Sequence, residues 1–381
     1  MTAQQQSPAE LAQSQFRKFT YVNKDVGGTL DDNLPTHPNK HISSLSKVGL
    51  GALDAFPTEV LHCILAQLDL RSLTNFHYVN HRARHVLASL PHYEDIDTHA
   101  RNVLRGILSI SLGPWITLET LHQALCTEKC ASCGDFGGYL YLLTCTRVCY
   151  LCFISKKSYL PQRRHQAKQR FALTSPLLKT LPQMLSRPGT YTPDGRDCLA
   201  RLDLVDKESA RQAGVALHGS VVAMKERVRQ DTEQKWQRYR CRLASFTKSS
   251  IKSSVRRPPR TVELWDGQHE NPLRFMAVVR APWLDRSSQS VEWGAHCKGC
   301  RDLDEDSEGE PSSEESDEEM WREKTEDMPD VVSVYETLAE RLYNVASFDE
   351  HLRRLGAIKK GKHCVGLTMC WFNYGSLYTL R

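Results

Sequence analysis

Apolar positions along this chain change rhythm several times, and each change marks a segment. Residues 1–50 are rich in Gln, Ser, Asn and Gly without a sustained period, so they read as a disordered lead-in. From Asp54 the rhythm becomes helical. Pro57 suits a first helical turn, and Val60, Leu61, Ile64, Leu65 and Leu68 follow at the spacing of one helical face. Asp69, with Ser72 as the alternative start, caps a second helix carrying Leu73, Phe76 and His77. Asn80 caps a third through Ala83, Val86 and Leu87, ended by Pro91. Three such short helices make a thin core and leave apolar surface for a partner.

The next segments are read the same way. Asp97 to Leu112 and Thr117 to Leu125 predict connecting helices, parted by Gly113-Pro114. Gly137-Gly138 is a turn signal, and Tyr139 to Leu143 is strand-like. Leu173 to Pro193, punctuated by prolines, predicts an extended connector, and Leu202 to Phe246 a helix that Gly214 and Gly219 interrupt. Thr261 to Trp265 and Arg274 to Arg280 are strand-like. Val331 to Leu355 returns to helical spacing, and Trp371, Phe372, Tyr374 and Tyr378 close a C-terminal core. The fold class expected is α+β, mainly α. It comprises an N-terminal three-helix unit, a small β-hairpin module, and a mixed C-terminal domain with a disordered acidic insert. The expected divisions are 1–50, 51–95, 96–125, 126–155, 156–301, 302–330 and 331–381.

Composition changes this picture in two places. A hydrophobic fraction of 40% is slightly low for a globular chain, in keeping with disordered segments. The net charge of +5 conceals an asymmetry: Asp302 to Glu319 holds eleven acidic residues and no basic ones, so the remainder is strongly basic. The insert from Asp302 to Asp330 is too charged and too poor in apolar residues to fold alone. The basic runs Lys156 to Arg170 and Lys248 to Arg260 read first as solvated loop and linker, and second as contacts for an acidic partner or nucleic acid. No run of eighteen apolar residues predicts a membrane span. The start of the chain lacks the charged and apolar regions of a secretory leader, so the thirteen cysteines are expected in a reducing compartment, the cytoplasm and/or nucleus.

Six of those cysteines fall between Cys126 and Cys152. Cys130-x-x-Cys133 and Cys149-x-x-Cys152 have the spacing of a four-thiolate structural Zn2+ site, in which each pair supplies two sulfurs to one tetrahedral ion. Gly134 offers the backbone freedom of a tight knuckle. Cys126 and Cys145 each precede a pair by four residues, so either is an alternative ligand; buried free thiols in a core are the competing reading, which the pair spacing disfavours. Cys297-x-x-Cys300 is half of a second site, for which His351, or the pair His363 and Cys364, are the later candidates.

The stretch from Phe56 to Arg84 resembles an F-box, the helical module that docks on the Skp-type adaptor of cullin-based SCF ubiquitin ligases. Phe56-Pro57 stands where the family opens on Leu-Pro. Glu59 is its acidic residue, and Val60, Leu61, Ile64 and Leu68 form its aliphatic ladder. Leu73, Phe76, Val79 and Arg82 fall on its later positions. The resemblance implies that these eleven residues bind the adaptor. Cys130, Cys133, Gly134, Gly137, Leu140, Arg147, Val148, Cys149 and Cys152 further resemble a cysteine knuckle that many fungal F-box proteins carry downstream. In that group a His followed four residues later by Cys is expected. His351 is followed by Leu355, which leaves the fourth ligand of the second site displaced.

No phosphate-binding loop, dinucleotide glycine fingerprint, nucleophile elbow or zinc-protease helix occurs, so the chain is expected to be non-catalytic. A RING needs eight cross-braced ligands, more than this window holds. The implied function is a substrate-recognition adaptor of an SCF-type ligase, with a Skp-type subunit, a cullin through it, and an unknown protein target as partners. The alternatives are a zinc-containing nucleic-acid-binding regulatory protein, and a structural zinc protein whose F-box-like helices pack internally.

Overall fold

The structure is a computed structural model and describes residues 8–22, 27–35, 49–246, 258, 271–301, 338–359 and 361–363. It is α+β and mainly helical. The expected acidic insert, the strand at Thr261 to Trp265, and the aromatic C-terminus lie outside the described residues.

Helices α2 (Thr58–Ala66), α3 (Leu70–His77) and α4 (His81–Ala88) follow the three apolar faces read from the sequence. Their starts are fixed chemically. The Pro57 carbonyl accepts the Val60 and Leu61 amides, Asp69 Oδ1 accepts the Ser72 amide at 2.9 Å, and Asn80 Oδ1 accepts the Ala83 amide at 2.8 Å. Pro91 does not merely end α4. It occupies the first turn of α5 (Pro91–His99), where its missing N–H costs nothing, and α6 (Arg101–Ser109) follows past the buried Ala100. The single helix expected from Asp97 to Leu112 is therefore a pair. Helix α7 (Leu118–Leu125) starts at Thr117, whose hydroxyl accepts the Thr120 amide.

Strands β2 (Tyr139–Tyr141) and β3 (Thr146–Val148) form the expected hairpin, and helix α8 (Tyr150–Ser155) leaves it. The hairpin has a third strand from far along the chain: β9 (Val278–Arg280) pairs antiparallel with β2, setting Val279 opposite Leu140. Only the end of the strand expected over Arg274 to Arg280 forms. Pro272 and the Asn271 side chain, which accepts the Leu273 amide, start helix α13 (Pro272–Met276) first. Around this sheet the main core gathers Leu61, Leu73, Leu87, Ile107, Leu125, Leu140, Phe153, Phe275 and Val279, so one apolar interior joins the N-terminal helices to the hairpin.

Residues expected as connector and helix hold more strand than their local pattern shows. Helices α9 (Arg164–Arg170) and α10 (Ser175–Lys179) flank a sheet of β4 (Gln162–Arg163), β8 (Asp203–Val205) and β5 (Gln183–Leu185), with β8 central. Strands β6 (Gly189–Tyr191) and β7 (Arg196–Cys198) form a hairpin. The expected helix from Leu202 begins only after β8, where Asp206 caps α11 (Lys207–His218). Gly219, at φ 83°, ends α11 before α12 (Val221–Phe246), whereas Gly214 lies inside α11 because a Cβ there would press on the Phe171 carbonyl and Met224.

The expectation of a disordered lead-in fails for the described N-terminal residues. Helix α1 (Pro8–Phe19) and strand β1 (Thr20–Tyr21) pack where the far end of the chain provides partners. Strand β1 pairs with β12 (His296–Cys297), and Phe16 meets Phe348 on α14 (Val345–Leu355) edge to face at 5.6 Å. Leu30 is fully buried, and its amide donates to the Val278 carbonyl. These stabilising contacts are remote in sequence, so no local period announces them. Strands β10 (Trp283–Asp285) and β11 (Ser290–Glu292), and then β13 (Ile358–Lys359) and β14 (Lys362–His363), make the last two hairpins.

Candidate metal centres and docking helices

Two groups of soft donors converge. In the first, the donor atoms of Cys130, Cys133, Cys149 and Cys152 all lie within 4.8 Å of one another. Local backbone geometry brings them there. Gly134, at φ 81°, turns the chain back so that its amide donates to the Cys130 carbonyl, and Cys149 forms the N-cap of α8, which carries Cys152. Cys133 Sγ and Cys149 Sγ are 3.5 Å apart. A tetrahedral ion with bonds of about 2.3 Å to sulfur requires edges of about 3.8 Å, so the donor set and its spacing fit zinc. Hydrogen bonding from Cys133 and its neighbours holds the Cys130 thiol far below the ordinary range. The same sharing pushes Cys149 and Cys152 up. One ion bound to all four would replace that shared proton set.

The second group is Cys297, Cys300, His351 and His363, again within 4.8 Å of one another. It contains the three residues singled out from sequence and supplies the displaced fourth donor, His363. His363 Nε2 lies 3.4 Å from Cys297 Sγ and 3.6 Å from Cys300 Sγ, and His351 Nε2 lies 3.5 Å from Cys300 Sγ. A tetrahedral S–N edge around zinc is about 3.6 Å. His363 Nδ1 is 2.9 Å from the Gly356 carbonyl. A carbonyl only accepts, so Nδ1 carries the proton and Nε2 keeps its lone pair toward the sulfurs. Hydrogen bonding with Cys300 draws the Cys297 thiol down to about 3. Neither group leaves an open position. A metal there would brace the fold by holding four donors, without a site for water activation.

The surplus cysteines take no part in either group. Cys145 is buried and pushed up to about 12 by that burial, and Cys126 lies beside His122. Arg147 is the functional residue whose task the sequence hid. Its side chain is 2% exposed and donates to five backbone carbonyls: Ala124, Leu125, Gly137, Ala281 and Pro282. It ties α7, the knuckle and the link that follows β9 into one unit, and burial lowers its pKa to about 10. Gly137 is required beside it, since a Cβ there would lie 2.4 Å from Arg147 Cγ.

The residues read as adaptor-binding divide by exposure. Phe56 (47%), Val60 (41%), Ile64 (43%) and Val79 (66%) are large apolar groups facing solvent, joined by exposed Pro57, Glu59 and Arg82. Leu61 and Leu73 are buried, and Leu68 and Phe76 are half-buried against the core. The ladder thus has an inner rail that holds the helices and an outer rail of large apolar groups left open to solvent, the kind of exposure found at interaction surfaces.

Of the basic runs, Lys156 to Arg170 places Arg163, Arg164, His165 and Lys168 around one cavity with Arg201, and nearly all of Lys248 to Arg260 lies outside the described residues. On α12, Arg229 pairs with Glu226, Arg227 with Asp231 and Arg240 with Glu233. Arg274 is fully buried and donates to the Phe153 and Lys156 carbonyls. Among the described residues, no helix is long and apolar enough to cross a membrane.

Neither the curated proteins nor the solved structures contain a match to this chain. Residues 53–95 match the family model of the F-box domain, which spans α2 to α4 and the start of α5. F-box domains bind the Skp-type adaptor and through it cullin-based complexes, and the match supports a role of that general kind for this domain.

Proposed function

We propose that this chain is a substrate-recognition adaptor of an SCF-type ubiquitin ligase. Its outer ladder would dock on a Skp-type subunit, and the body built around two zinc-braced clusters would hold a protein target, in the cytoplasm and/or nucleus. The observation that carries this reading is the exposure of Phe56, Val60, Ile64 and Val79 within the segment that matches the F-box family. The chemistry is proximity: the adaptor raises the local concentration of target near a conjugating enzyme supplied by the complex.

The test separates the two rails. Val60→Asp with Ile64→Asp places charge on the open rail and leaves the core intact. The double variant is expected to lose co-purification with the Skp-type subunit and cullin while keeping its thermal midpoint. Undiminished co-purification would sink the reading. Leu61→Ala is unsuitable for this purpose, because Leu61 is buried and its truncation costs core stability, about 2–5 kcal/mol.

A further inference from the structure

We propose that Cys126 is a covalent modification site, a thiol poised to exchange with a low-molecular-weight disulfide. The site is a cavity of about 330 Å³ between α5, the end of α7 and the β10–β11 hairpin, lined among others by His92, Asp95, His122, Cys126 and Arg286. Cys126 is excluded from both metal-donor groups and is partly accessible. Its backbone is fixed: the amide donates to the His122 carbonyl at 2.9 Å, and the carbonyl accepts Trp283 Nε1 at 3.2 Å.

The neighbours of the sulfur have the chemistry of an activated nucleophile. His122, on the same helix one turn earlier, places its ring nitrogens 3.8 and 3.9 Å from Cys126 Sγ. His122 Nε2 lies 3.0 Å from the Asp95 carboxylate, while Nδ1 lies 3.5 Å from Arg286 Nη2. A guanidinium only donates and an ionised carboxylate only accepts, so Nε2 carries the proton and Nδ1 the lone pair. That lone pair is shared between Arg286 Nη2 and the Cys126 thiol, whose sulfur lies at nearly equal distances from the two ring nitrogens. Asp95 would hold the imidazolium formed when the ring takes the thiol proton, and Arg286, which lines the same cavity, places a positive charge beside the thiolate. His92 stacks on His122 at 4.0 Å and is anchored by Glu119. Cys145 shows the contrast: it is buried and has no such base.

In the exchange, the Cys126 thiolate attacks one sulfur of the incoming disulfide. A new S–S bond forms to Cys126, the reagent's S–S bond breaks, and its second sulfur leaves with the electron pair and takes up a proton. No other oxidant is needed. The product is a mixed disulfide lodged beside Arg286.

The experiment treats the full chain with oxidised glutathione and follows adduct formation at each cysteine by mass spectrometry. Cys63 and Cys241 are exposed and serve as references in the same sample. Cys126, with the His122 ring and Arg286 beside it, is expected to react severalfold faster than either. Arg286→Gln, a change at an exposed position, is expected to bring Cys126 back toward the reference rate. His122→Gln should do the same, with metal content and thermal midpoint confirming that this buried-site variant is folded. Reaction at Cys126 no faster than at Cys63 and Cys241 overturns the proposal. A fast reaction that Arg286→Gln leaves unchanged overturns it as well.

Discussion

Arg147 places a full positive charge where its acceptors, among the described residues, are backbone carbonyls. Each charge-assisted hydrogen bond of this kind contributes about 1.5–3 kcal/mol net, which offsets the cost of removing the guanidinium from water. The two nearby glycines then make separable predictions. Gly134 has open space around its missing side chain but a left-handed backbone, so Gly134→Ala should cost about 1–2 kcal/mol. Gly137→Ala forces a methyl into the Arg147 side chain and should cost more, with denaturant titration giving the order. A milder effect at Gly137 than at Gly134 would contradict the crowding. Titration is a second test at this scale. Burial lowers the pKa of His77, with Arg84 adding to it, and burial also lowers that of His122 despite Asp95. The unfolded chain therefore binds these protons more readily than the native one. Their contribution is intact above the ordinary imidazole value and is lost as pH falls below about 6.5. The thermal midpoint should drop through that window, and His77→Gln should flatten the drop.

At the scale of elements, the two donor groups differ in how they were legible. Cys130, Cys133, Cys149 and Cys152 are close in sequence, and the pair spacing alone announces one site. The second group draws Cys297 and Cys300 from the start of one segment, His351 from α14 and His363 from a hairpin beyond Gly356. Sequence placed His363 and Cys364 among the candidates, but only the turn into β13–β14 shows His363 facing the sulfurs; Cys364 lies outside the described residues. The outer ladder was legible because helical period is a local property. The split into inner and outer rails was not, since it depends on α6, α7 and the core above them. Elemental analysis of the full chain should give about two zinc ions, and His363→Ala should lower this to about one while the four-cysteine group keeps its ion. A single ion in the wild-type chain would remove the second centre.

For the molecule as a whole, the N-terminal helix and the last described helix meet at the second donor group. Phe16 and Phe19 pack against the cluster that includes Cys297, Cys300, Phe348 and Leu355. Asn344 donates to Glu128 and Arg341 pairs with Asp135, which couple that end to the first knuckle. Deleting residues 1–22 should therefore loosen the His351 and His363 group and weaken its metal affinity without touching the exposed F-box ladder. Competition with a chromophoric chelator measures the affinity, and unchanged binding would place α1 outside the support of that centre.

The strand β9 has a consequence for the order in which a ribosome delivers this chain. The hairpin of β2 and β3, with Arg147 on it, emerges long before Val278 to Arg280 complete the sheet and before Ala281 and Pro282 supply two of the guanidinium's acceptors. Through that interval the nascent knuckle carries an open sheet edge and an incompletely satisfied cation, a species prone to mispairing with other chains. Early metal capture by the four cysteines would hold the half-built sheet in register until its third strand arrives. Starving translating cells of zinc should accordingly harm newly made chains more than chains already folded, a difference that pulse-labelling resolves.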